Sequence, residues 1–110
     1  MSSPRAAARA AAVLLAGVLL GACSESSTTD QAIARGRNTY QALCISCHAS
    51  DPAQPGPIGP PVKGSSQALL EAKVLRGEYP PGYTPKRPTK LMPPMPQLAN
   101  AIPDLVAYLK

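Results

Sequence analysis

The sequence predicts an all-α protein, and three observations carry that prediction. No stretch alternates apolar and polar residues as a strand would, apolar positions recur at helical spacing, and prolines crowd the segments between them. The chain has 110 residues, with 14 prolines, no Phe, no Trp and only four Tyr. A domain this small buries a limited core, and one so poor in aromatic residues is expected to fill part of it with a cofactor.

Residues 1–22 read as a leader to be set aside before the fold. Arg5 and Arg9 supply a basic start, and Ala10 to Ala22 are 13 small or apolar residues, too few for a membrane-spanning helix of about 20. The sequence "LLGAC" then resembles a bacterial lipobox, which implies cleavage before Cys23 and a lipid on that cysteine. The expected location is periplasmic, anchored to a membrane through Cys23. Removing Arg5 and Arg9 leaves nine basic and six acidic residues, a formal +3. The basic residues are scattered and stacking aromatics are scarce, so no nucleic-acid partner is expected.

Residues 23–30 contain "SESSTTD" and read as a flexible polar tether, leaving 31–110 as the domain. A first helix is expected from Gln31 to about Cys44, with Ile33, Tyr40 and Leu43 on one face. Residues 50–64 hold five prolines and three glycines and must be loop. Ser65 or Ser66 is a candidate N-cap for a second helix through "QALLEAKVLR", with Gly77 as its C-cap. Residues 78–97 hold seven prolines and are again loop. Asn100 is a plausible N-cap for the last helix, which tolerates Pro103 in its first turn. Ile102, Leu105, Val106 and Leu109 form its apolar stripe.

The chemistry concentrates in "CISCH", Cys44 to His48. A thiol redox pair of the thioredoxin kind needs a βαβ context that the chain does not offer. Zinc needs a fourth ligand, and beyond Cys23 only carboxylates such as Asp51 remain. A disulfide between Cys44 and Cys47 would close a loop too short to stabilise much. Covalent haem fits the motif best: one helical turn presents both sulfurs to the two vinyl groups of a porphyrin edge, and the adjacent histidine turns onto the iron. His48 is the only histidine.

Over residues 31–110 the chain resembles class I cytochromes c. "RGRNTYQALCISCH" is similar to the family's first helix, with Gly36 and Tyr40 ahead of the motif; "IGPPVKG" resembles the segment after the haem histidine; "LMPPMP" looks like the segment that supplies a methionine ligand; and "IPDLVAYLK" is close to the last helix. The resemblance implies three helices and proline-rich loops around one haem c. It implies that the Pro60 carbonyl accepts the His48 Nδ1 proton, and that Gly36 lies where the first and last helices cross, near Leu105 and Tyr108. It implies a methionine as the second axial ligand. Met92, followed by two prolines and 16 residues before Tyr108, is the favoured choice, and Met95, 13 before it, is the alternative. Ile58, Val62, Leu69, Leu70, Val74, Leu75, Leu91 and Leu98 are the expected haem lining. Arg76, Lys86, Arg87 and Lys90 are candidates to neutralise propionates or form a docking rim, and Tyr79 and Tyr83 to pack on the same side.

With both axial positions filled, no small-molecule substrate is expected and the function is one-electron transfer between redox protein partners. The chain is then a carrier and not itself an enzyme. The alternatives are a haem subunit that accepts electrons within a larger oxidoreductase, and a peroxidase or gas sensor with an open iron position. Against the last stands the lack of a distal His or Arg suited to activating peroxide.

Overall fold

The computed structural model describes residues 26–110; the leader 1–22 and Cys23 lie outside the described residues. Helix α1 spans Thr28–Leu43. Its start is fixed by Ser27, whose Oγ accepts the Asp30 N–H at 3.1 Å and donates to the Asp30 carboxylate at 2.8 Å, a reciprocal cap that satisfies an otherwise unpaired donor. The cap draws residues 28–30 into the helix, so α1 begins earlier than Gln31 and takes in the end of the segment read as tether.

Helix α2 is the short Gln67–Leu70, continued by a π-helical turn over Glu71–Leu75. Ser66, not Ser65, is its cap: Ser66 Oγ accepts the Leu69 N–H at 3.1 Å. Gly77, at φ +71°, ends the helix in the left-handed conformation that glycine adopts without cost. Its N–H returns to the Lys73 carbonyl and the Glu78 N–H to that of Ala72.

Helix α3, Ile102–Leu109, has Pro103 in its first turn as expected, but Asn100 is not its cap. A 3₁₀ segment, Pro96–Ala101, runs directly into α3, so the backbone before Ile102 is already coiled and leaves no extended cap position.

The core is small. Tyr40, Leu70, Val74, Leu98, Ile102, Leu105 and Leu109 form one buried cluster, with Cys44, Val62, Leu75, Met92, Met95 and Val106 packed against it. The α3 stripe is therefore as the periodicity requires. The α1 face is not: Ile33 and Leu43 are 37% and 47% exposed, and the buried positions of α1 are Gly36 and Tyr40. The reason is how closely α1 meets α3. A Cβ placed on Gly36 would overlap the Asp104 carbonyl and stand 2.9 Å from Tyr108 Cβ. The helices cross on bare backbone there, against Asp104 and Tyr108, and the orientation follows Gly36 and not the sparse apolar residues.

Tyr40 and Tyr108 pack beside this crossing, ring centres 5.6 Å apart and tilted by 51°. Arg35 grips Asp104 with two hydrogen bonds, Nε–Oδ2 at 2.8 Å and a second guanidinium N–H to Oδ1 at 2.9 Å. The pairing holds the Asp104 carboxyl below its usual range and raises Arg35. Among the described residues no helix is long and apolar enough to cross a membrane.

Two predictions follow from the crossing. Gly36→Ala should lower the unfolding free energy by about 1–3 kcal/mol, and Gly36→Val by more, in denaturant titrations, because the added carbon must force backbone apart. The folded pKa of Asp104 lies below its unfolded value, so its contribution is complete above the ordinary carboxylate range and is lost as pH falls through the folded value. Asp104→Asn should therefore lower the melting temperature at pH 7, and the gap to wild type should close as pH drops below about 4.

Candidate haem site

The site is built on the end of α1. The Cys44 N–H still donates to the Tyr40 carbonyl at 2.9 Å, and the His48 N–H to the Cys44 carbonyl at 2.9 Å. "CISCH" is thus one further helical turn, the geometry that sets two cysteines and a histidine side by side. The chain then folds back. Ile58 and Gly59 both donate their N–H groups to the Cys47 carbonyl, at 3.1 and 2.8 Å, and Gly56 donates to the Gly59 carbonyl at 2.9 Å.

Two glycines make this return possible. A Cβ on Gly56 would overlap the Cys47 carbonyl and the His48 backbone, and one on Gly59 would overlap the His48 imidazole. Sequence reading placed Gly59 in the "IGPPVKG" segment but gave no role to Gly56, whose signal is only that a glycine sits within a proline-rich loop. His48 is buried, 9% exposed, and its Nδ1 is 2.9 Å from the Pro60 carbonyl oxygen. A carbonyl can only accept, so Nδ1 carries a proton, and in the neutral ring the lone pair is then on Nε2.

Side chains of α1 secure the chain just after the histidine. Tyr40 donates its hydroxyl to the Ala49 carbonyl at 2.6 Å and Gln41 its amide to that of Ser50 at 3.0 Å. Burial, with smaller effects from Cys44, Tyr108 and Asp51, pushes the Tyr40 phenol up to about 12, so it remains a donor throughout the physiological range.

Cys47, His48, Pro60 and Met92 all line one open-mouthed cavity of about 930 Å³, the solvent-filled mouth included. Its apolar wall is Ile58, Val62, Leu69, Leu70, Val74 and Leu91. Leu75 and Leu98, expected in this lining, pack into the helical core instead, where the π-helical turn and the 3₁₀ segment that carry them meet each other. Cys44 is half-buried against the core, and burial pushes its thiol up, the opposite of the low-pKa thiolate that redox chemistry at sulfur needs. Both thiols are free.

Met95 does not line the cavity; it packs against the core. Its N–H donates to the Val74 carbonyl at 2.6 Å, one of the last-turn carbonyls that a helix cannot satisfy itself. That bond ties the loop carrying Met92 to the helix that walls the cavity.

The polar part of the cavity includes Lys73, Tyr79, Tyr83, Lys86 and Arg87. Tyr79 and Tyr83 stack with ring centres 5.4 Å apart, and Lys73 Nζ lies 4.3 Å over the Tyr79 ring. Arg76 is not part of it: it pairs with Glu78 at 3.4 Å. Lys90 is exposed and also outside the lining. No group of three or more His, Cys, Asp or Glu able to hold a metal ion occurs among the described residues. Cys44 is outside the cavity lining, one helical turn before His48. A single imidazole and a thioether in an apolar slot, with Cys47 beside the imidazole and cations at one part of the wall, is a donor set that fits an iron porphyrin and not a bare metal ion.

Comparison with known proteins agrees with this fit. A family model described as Cytochrome c matches residues 33–110. Comparison with curated proteins gives no match, nor does comparison with solved structures. A match over that span, on an all-α chain with three helices and no strand among the described residues, means that the protein belongs to the cytochrome c family, with the class I fold, a c-type haem and a role in haem-based electron transfer.

Proposed function

We propose that the protein is a one-electron carrier of the periplasm, held to a membrane by lipid on Cys23, with haem bound through Cys44 and Cys47 and its iron ligated by His48 and Met92. The observation that carries this reading is that His48 and Met92 line the same apolar cavity, while Met95 lies outside that lining. When bound, the haem supplies an iron that alternates between the ferric and ferrous states.

Every other part of the mechanism belongs to the chain. Pro60 fixes the tautomer and the plane of His48, leaving Nε2 as the donor and raising its basicity. Met92 contributes a neutral, soft sulfur, which favours the ferrous state and raises the potential relative to harder ligands. The apolar wall acts in the same direction, since it disfavours the more highly charged ferric state. With His48 and Met92 both holding the iron, the site would leave no place for a substrate, and the chemistry left would be the exchange of single electrons with redox protein partners. The short leader ending in "LLGAC" supports export and lipidation.

Two measurements test this. The oxidised protein should show the weak far-red charge-transfer band of a methionine sulfur on ferric haem; Met92→Leu should abolish it and Met95→Leu should keep it. Loss of the band in Met95→Leu alone would reverse the assignment, and its absence from wild type would open the iron to ligand binding or catalysis. Gly59→Ala, which sets a carbon against the His48 ring, should sharply reduce the yield of haem-loaded protein, read as the ratio of haem to protein absorbance.

A further inference from the structure

The proline-rich segment before Met92 reaches back to the loop after His48 through two neighbouring side chains. Lys86 Nζ donates to the Pro61 carbonyl at 2.8 Å, and an Arg87 guanidinium N–H donates to the Ile58 carbonyl at 2.9 Å. These two acceptors bracket Pro60, whose own carbonyl faces His48 Nδ1 at 2.9 Å. On the other side the same loop is held by the Ile58 and Gly59 amides on the Cys47 carbonyl.

The loop needs such support from outside. Pro60 and Pro61 have no N–H of their own, so the backbone bonds that hold the loop, Ile58 and Gly59 on Cys47 and Val62 and Lys63 on Pro52, lie to either side of the histidine contact and leave the two prolines to be held by other donors. Lys86 and Arg87 are free for the task, since among the described residues the ion pairs are Arg35–Asp104 and Arg76–Glu78 and involve neither of them. A charged donor on a carbonyl makes a stronger hydrogen bond than a neutral one. Both side chains also line the cavity.

We infer that Lys86 and Arg87 are positioning residues for His48: they clamp Ile58–Pro61 from above, so that the Pro60 carbonyl stays where it orients the imidazole. This gives the 78–91 segment a role in holding the iron ligand, and it rests on the reading of His48 as that ligand. The clamp acts only through Pro60, and neither side chain is required to touch the iron.

Hydrogen exchange on the full-length, haem-loaded protein tests it. In Lys86→Met/Arg87→Met, the amides of Ile58 and Gly59 and the His48 Nδ1 proton, followed by NMR, should exchange faster by about tenfold or more, as expected on losing charge-assisted bonds that restrain a loop. Removing two cations weakens the local attraction for hydroxide and by itself slows base-catalysed exchange, so faster exchange has the sign of a lost clamp and not of lost charge. Lys90→Met, in the same segment, should leave these protons unchanged. Unchanged or slower exchange in the double variant, or equal acceleration through α1 and α3, would overturn the inference. Failure of the underlying reading looks different: the wild-type ferric spectrum itself would lack the signature of a histidine-ligated haem before any substitution is made.

Discussion

The close approach of α1 to α3 at Gly36 is the constraint on which the rest of the molecule depends. With no Phe and no Trp, the core cannot gain much from large aromatic side chains, and seven buried residues make up its main cluster. What the chain uses instead is backbone against backbone at Gly36 and Asp104, flanked by the Arg35–Asp104 pair and the Tyr40–Tyr108 contact. Once the two helices are locked there, the direction of the next chain segment is set. Cys44, Cys47 and His48 continue α1 by one turn, and Tyr40 and Gln41 of the same helix then hold Ala49 and Ser50. The site is placed by the crossing, residue by residue along one helix.

Much of this arrangement was legible because it depends on local chemistry. Gly77 is readable as a helix stop, the α3 stripe as a buried face, and "CISCH" as a turn that gathers its own ligands. Where the reading failed, a distant contact overruled a local pattern. Ile33 and Leu43 share a helical face with Tyr40, but three apolar residues are a weak vote against a glycine that must meet another helix. Asn100 is a good cap in isolation, and a 3₁₀ segment running into α3 removes the need for one. Arg35 and Asp104 lie 69 residues apart and carry no mutual signal in a single sequence. Of the expected lining, Ile58, Val62, Leu69, Leu70, Val74 and Leu91 border the cavity, whereas Leu75, next to Val74 in the π-helical turn, and Leu98, in the 3₁₀ segment, pack into the core.

The two methionines show how a carbonyl can separate similar candidates. Both precede a proline, and their spacings to Tyr108 differ by a few residues, so sequence alone weighs them only by resemblance. The Val74 carbonyl, left unpaired near the end of its helix, takes the Met95 N–H. That draws Met95 to the core, and Pro93 and Pro94, each with a fixed φ, form a stiff spacer that leaves Met92 at the cavity. Which of the two methionines borders the cavity thus follows from an unsatisfied acceptor at a helix end.

The same accounting explains the loops. Fourteen prolines remove fourteen backbone donors from a chain of 110 residues while leaving every carbonyl in place. The proline-rich loop after His48 is consequently rich in acceptors and short of donors. Backbone amides meet some of its carbonyls, such as those of Pro52 and Gly59, and side chains meet five more: Tyr40 on Ala49, Gln41 on Ser50, Arg87 on Ile58, His48 on Pro60 and Lys86 on Pro61. One of these donors is the imidazole itself. With fewer amides than carbonyls, the loop has carbonyls left over after its own backbone bonds, and the one at Pro60 is aimed at His48 while side chains take its neighbours. The composition that first marked these segments as irregular is therefore also what lets them orient the histidine.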